Sequence, residues 1–210
     1  MLKQLHVSGG RIPTQSAMQQ YWSERLDTGH TLKLGQKLKT VASEFNVYCL
    51  LSRAQTLRLE EIIVVDERYL ILVLGEEALV LEYSEPVARF LPNLIGATPK
   101  ELEEIGSQVG LYELRDKASR LKNANVLLKE GEISVYEMAK ELNNPKIIRL
   151  FLDPSFPDSL GDGLYFEDLL PSGYLALKQK ANYKGEEAEL FCIGSLYSDY
   201  EQFFKVAKED

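Results

Sequence analysis

The sequence predicts an α+β fold: an antiparallel sheet centred on a three-stranded meander at about residues 61–83, packed with amphipathic helices and followed by a C-terminal hairpin and helix. Three observations carry that prediction. First, Leu59–Tyr83 holds three short apolar runs, Ile62–Val65, Tyr69–Leu74 and Ala78–Tyr83, parted by Asp66-Glu67-Arg68 and Gly75-Glu76-Glu77. Runs this short, rich in Val, Ile and Tyr, read as strands, and such short connections join only antiparallel neighbours. Second, apolar residues recur at helical spacing behind capping signals. Third, Tyr174–Lys180 and Glu187–Gly194 flank a polar turn at 182–186, which reads as a hairpin.

In chain order, residues 1–13 read as an edge strand or arm stopped by Gly9-Gly10 and Pro13. A helix over about 15–26 turns Met18, Tyr21, Trp22 and Leu26 to one face, with Gly29 as its stop. A second, over about 33–45, aligns Leu34, Leu38, Val41, Ala42 and Phe45 and shows Lys33, Lys37 and Lys39 outward. Asn46–Ser52 then reads as a strand leading to the meander, whose central YLILVL run has so little polar alternation that a strand covered on both faces is expected.

Residues 86–92 form a short helix or turn, after which Thr98, Pro99 and Glu101 spell a helix start with a capping box. Gly106 and Gly110 are expected to interrupt that helix, and Leu111, Leu114, Ala118 and Leu121 to begin another. Ser134 with Glu137 reads as the cap of a helix burying Val135, Met138, Ala139 and Leu142, ended by Asn143-Asn144-Pro145. Residues 146–152, KIIRLFL, fit strand or helix equally. A loop, DPSFPDSLGDG, follows, and Ser198 with Glu201 is expected to cap a last helix that turns Tyr200, Phe203, Phe204 and Ala207 inward. The expected organisation is a single domain over 1–210, or two tightly packed lobes at 1–95 and 96–210.

Composition narrows the function classes. With 45% hydrophobic and 27% charged residues the chain is of ordinary globular type, and no apolar run approaches the roughly 18–20 residues that span a bilayer. The stretch MLKQLHVSGGRIPTQ does not read as the apolar core of a secretory signal, and the two cysteines, Cys49 and Cys192, sit in apolar contexts, so buried free thiols in a reducing, cytoplasmic setting are expected, with a long-range disulfide as the lesser reading. The net charge of −8 argues against a nucleic-acid partner, because phosphate contacts need a basic surface. The charge is laid out in blocks, +5 over residues 1–58, −9 over 59–113, +3 over 114–150 and −7 over 151–210. Such blocks can complement each other within the fold or between copies, although a solvated surface is the plainer meaning.

The candidate sites are weighed against that plainer meaning. GEISVYEMAKELNNPKIIRLFL has the rhythm of a helix-turn-helix, but its second element offers only Lys146 and Arg149 to DNA among hydrophobes that want a core. If Lys146 and Arg149 are both covered, that reading fails. Asp153, Asp158, Asp162, Glu167 and Asp168 lack calcium-loop spacing and read better as turn formers, so no metal site is assigned. Only His6 and His30 could serve a nucleophile, neither cysteine has an electropositive setting, and nucleotide and zinc fingerprints are missing, so no catalytic residue and no cofactor is assigned. The binding candidates are the tyrosines Tyr165, Tyr174, Tyr183 and Tyr197, with apolar rings and polar tips, and the basic pair Lys33 and Lys37.

The leading expectation is a non-catalytic cytoplasmic binding or regulatory protein acting through protein–protein contacts or self-association. One rival is an enzyme or sensor holding a small-molecule ligand in a pocket between sheet and helices. The other is a DNA-binding regulator working through the helix-turn-helix-like segment 133–152.

Overall fold

The computed structural model describes residues 2–4, 11–54 and 57–208; His6, Gly9 and Gly10, which bear on the expected N-terminal arm, lie outside them. By its contacts the chain divides into two units, one formed by Met1–Ala54 with Val126–Asp210 and the other by Gln55–Asn125, so that residues 94–99 fall inside the second.

In the first unit, β1 (Leu2–Gln4) and β2 (Arg11–Pro13) pair as a small antiparallel sheet. Thr14 caps α1 (Gln15–Arg25), its hydroxyl oxygen accepting from the Ala17 N–H at 3.3 Å. β3 (Leu32–Leu34), α2 (Leu38–Glu44) and β4 (Val47–Arg53) follow. The expected helix over 33–45 is therefore half as long as its pattern. Leu32–Leu34 runs instead as a strand, parallel to the far end of the C-terminal hairpin, a long-range pairing that local periodicity does not report.

The second unit carries the meander: β5 (Glu61–Val65), β6 (Tyr69–Leu74) and β7 (Glu77–Glu82), three strands in sequence order in a sheet of their own. Leu70, Leu72, Leu74, Leu79 and Leu81 point to one face and are buried with Leu91, Leu102, Leu114, Ala118 and Leu121. The opposite face runs Ile63, Ile71 and Val80 in register, with Ile63 and Val80 40% and 43% exposed. The YLILVL strand is thus covered on one face, not two; its second row of apolar residues stays at the surface.

The helices of this unit are α3 (Glu85–Phe90), running into a 3₁₀ turn over Leu91–Leu94, then α4 (Pro99–Val109) and α5 (Tyr112–Ala124). The Thr98 capping box forms as its sequence predicts: the hydroxyl oxygen accepts from the Glu101 N–H and the Glu101 carboxylate accepts from the Thr98 N–H at 2.7 Å. Gly106 does not interrupt α4. A Cβ there would lie 2.9 Å from the Arg115 nitrogen and 3.0 Å from the Leu111 carbonyl oxygen, so the glycine lets α4 and α5 touch backbone to backbone, and only Gly110, at φ 77°, ends the helix.

The chain then returns to the first unit through β8 (Val126–Glu130), α6 (Glu132–Glu141), α7 (Lys146–Phe151), a 3₁₀ turn at Phe156–Ser159, β9 (Gly163–Tyr165), β10 (Tyr174–Tyr183), β11 (Glu186–Ser195) and α8 (Tyr200–Ala207). The ambiguous 146–152 segment is helical. The hairpin is longer than its pattern: β10 and β11 reach a two-residue turn, Lys184-Gly185, with both residues at positive φ, the geometry that matches strand twist. The large sheet has the order β3-β10-β11-β4-β8, with β9 paired to the early part of β10.

This sheet is covered on both faces. Val47, Cys49, Leu51, Leu190 and Cys192 face α2 and α8, while Tyr48, Leu50, Phe191 and Ile193 face α6 and α7. The α8 cap is Asp199, whose carboxylate accepts from the Gln202 N–H at 3.0 Å, rather than the expected Ser198. No helix of the described residues is long and apolar enough to cross a membrane.

Candidate functional site

The segment with the clearest functional shape is the α6–turn–α7 pair. It begins at Gly131, whose φ of 77° and close approach to β4 exclude a side chain, since a Cβ there would lie 2.2 Å from the Val47 carbonyl oxygen. Ser134 is not its N-cap. The helix starts at Glu132, and the buried Ser134 hydroxyl donates to the Gly131 carbonyl at 2.8 Å. Glu137 is likewise no capping-box partner; its carboxylate accepts from the Asn46 side-chain amide at 2.7 Å. Val135, Met138 and Ala139 on α6 and Ile147 and Phe151 on α7 pack onto Tyr48, Leu50, Phe191 and Ile193 of the sheet.

The outward side of the pair is mixed. Lys140, Lys146 and Arg149 are exposed, and so are the apolar Ile133, Tyr136 and Leu150. Lys146 and Arg149 therefore meet the condition set for a DNA-contacting reading. Around them Glu132, Glu137 and Glu141 balance the cations, so the local potential is close to neutral. α7 spans only Lys146–Phe151 and gives its two inner positions to the core. The pair can thus offer phosphate contacts, whereas base reading needs polar side chains that α7 does not present.

The other sequence candidates lie in separate places of the first unit. Tyr165 on β9 pairs in register with Ala176, and its hydroxyl donates to the Gly161 carbonyl at 2.8 Å. Tyr174 opens β10 and donates to Glu141 at 2.5 Å; burial, and then that carboxylate, push its ionisation up. These two share the α6–α7 side of the sheet. Tyr183 ends β10 beside Leu34, with the Lys184 ammonium 5.1 Å from its ring, and the exposed Lys33 pairs with Asn182 on that same edge. Lys37 is exposed at the start of α2. Tyr197 donates to the Pro13 carbonyl at 3.2 Å.

Asp153 in the acidic loop accepts from the Ser155 N–H and hydroxyl, which is turn chemistry. Among the described residues no three His, Cys, Asp or Glu side chains gather to hold a metal ion. Sequence reasoning passed over Tyr48, which is fully buried on β4 beneath α6 with a hydroxyl that has no partner among the described residues. Burial, with smaller contributions led by Glu132, pushes its ionisation up. Its only sequence signal was a polar tip inside the apolar VYCLL run.

Comparison with known proteins supplies what this geometry does not. The family model described as the HrcA C-terminal domain matches residues 22–210. Two curated proteins, the heat-inducible transcription repressors HrcA of two Helicobacter pylori strains, are each 29% identical over the whole of this chain and 77% of their own length. No solved structure matches the chain at a significant level.

Two expectations are overturned by these matches. The leading expectation of a protein working through protein–protein contacts gives way to its DNA-regulator alternative, because the relatives are transcription repressors. It had rested on missing catalytic motifs, on charge laid out in blocks and on tyrosines that are dispersed in the fold. The argument against a nucleic-acid partner falls with it: a net charge of −8 sums the whole chain and does not report a local surface or what the rest of an assembly contributes.

Proposed function

The chain belongs to the HrcA C-terminal domain family, and we propose that it is the regulatory part of a heat-inducible transcription repressor whose nucleic-acid partner is promoter DNA. The single observation behind this reading is the match over residues 22–210. The reading implies a cytoplasmic protein. In it, the described α6–α7 surface contributes phosphate contacts through Lys140, Lys146 and Arg149, and sequence is read elsewhere in the repressor. The short, half-buried α7, which presents no polar side chains for base reading, supports that division of labour.

Fluorescence anisotropy of the full protein on promoter fragments of its host's heat-inducible operons tests the proposal. The expected result is binding that weakens steeply with salt and prefers those promoters over an unrelated duplex. Lys146→Gln with Arg149→Gln should weaken binding to all duplexes alike and lower the salt slope by about 2. Loss of promoter preference in that variant would make α7 a base reader. No binding to any promoter fragment would remove the repressor reading.

A further inference from the structure

We propose that Cys49 and Cys192 form a modification site: an intramolecular dithiol that closes to a disulfide under a peroxide-class oxidant and is reopened by thiol reductants. The two residues stand directly opposite each other on β4 and β11, 143 positions apart in sequence, with their sulfurs 3.4 Å apart. Both are free thiols and fully buried. Directly opposed residues of an antiparallel pair have Cα atoms about 4.5–5.5 Å apart, inside the disulfide window of about 4.4–6.8 Å. Closure therefore needs the sulfurs to approach to about 2.05 Å through side-chain rotation, with no change of strand register.

The chemistry balances without any group from the protein beyond the two thiols. One sulfur, as thiolate, attacks a peroxide oxygen; the O–O bond breaks, the sulfur becomes a sulfenic acid, and the departing oxygen leaves as water after taking up a proton. The second thiol then displaces the sulfenic oxygen as a second water and forms the S–S bond. Two thiols and one peroxide give one disulfide and two waters, and the sulfurs supply the two electrons.

Access runs past α8, which with α2 covers this face of the sheet. Its first residue, Tyr200, lies over the next pair along the same sheet face: a Cβ on Gly194 would sit 2.9 Å from the Tyr200 hydroxyl and 3.2 Å from a Val47 methyl. Tyr200 is fully buried in the same core as both thiols. Both sulfurs belong to fully buried residues and burial pushes the Cys49 thiol well above its ordinary range, so the pair is shielded from oxidant while α8 is docked and reacts when that short helix lifts. Once formed, the bond ties β11 to the strand from which the chain leaves for the second unit. The inference stands on this geometry and not on the repressor reading.

The test uses the full, reduced chain treated with hydrogen peroxide, then unfolded, alkylated with iodoacetamide and weighed intact. The expected product is a monomer lighter by two hydrogens that takes no alkyl group, and that takes two after reductant. Phe203→Ala, which loosens α8, should speed closure by about tenfold or more, while Leu72→Ala in the other unit leaves the rate unchanged. Val206→Ala is the milder substitution on α8 should Phe203→Ala not fold. Two alkylatable thiols after peroxide, a sulfinic acid on either cysteine, or a disulfide found only between chains would overturn the proposal. Equal rates in the α8 variants and the parent would overturn the role of α8.

Discussion

The two larger sheets among the described residues are built from similar residues and buried differently. In the first unit β4 and β11 send alternate side chains into two separate cores, Cys49 and Leu51 to one side and Tyr48 and Leu50 to the other. In the second unit β6 has an equally apolar sequence, yet only Leu70, Leu72 and Leu74 are buried, and Ile71 lies in a row with the exposed Ile63 and Val80. The difference is a matter of partners. A strand is covered twice only when helices reach both faces, and what reaches a face is decided by connections far away in sequence. Apolar content alone therefore does not distinguish a central strand from one with an open face.

The largest effect should come from placing charge in the covered face of the meander. Leu72→Asp puts an unpaired carboxylate at a fully buried position and should cost more than about 4 kcal/mol, enough to unfold the second unit. Hydrogen exchange reads this directly: amides of 59–124 lose protection. If they keep it, the meander does not hold that unit together.

A smaller effect is expected at the α4 cap. Thr98→Ala should destabilise the second unit by roughly 0.5–2 kcal/mol in urea denaturation. Hydrogen bonds from the Thr98 backbone and side chain hold the Glu101 carboxyl below its ordinary value. A carboxyl lowered by folding stabilises the native state above its unfolded pKa, and that contribution is lost as pH falls below about 4.5 through the folded value. The parent should thus lose stability on acidification in that range more steeply than Thr98→Ala. Parallel pH curves for the two proteins would detach Glu101 from the cap.

The smallest effect belongs to the open face. Val80→Thr, on the side opposite Leu72, should leave the melting temperature close to the parent, a change within about 0.5 kcal/mol. A loss as large as that of a buried truncation would show that this face is covered in solution, and the contrast between the sheets would then disappear.

Wherever a signal is local, the sequence was legible. The capping box of Thr98 and Glu101, the meander with its short turns, the hairpin and the inward aromatic residues of α8 are set by neighbours within a few positions. The candidate site was legible in outline, since the 133–152 segment is a helix pair with Lys146 and Arg149 outward. Its details were not. Ser134 and Glu137 have the letters of a capping box, but Gly131 starts the helix because only a glycine fits against the Val47 carbonyl. Leu32–Leu34 has the spacing of a helix and is a strand because Ala181–Tyr183 lies beside it.

What the sequence determined by itself is the set of elements: backbone propensity, caps and turns act over one or two turns of chain, and they made this an α+β protein. Tertiary structure alone decided which elements share a core. The chain leaves the first unit after Ala54 and re-enters it at Val126, so β4 finds β11 and β8 rather than the meander that follows it. That choice brings Cys49 opposite Cys192 and splits the apolar strands between a sheet covered twice and one covered once. The physical reason is that burial free energy depends on which surfaces meet, and surfaces meet through contacts that no local pattern encodes.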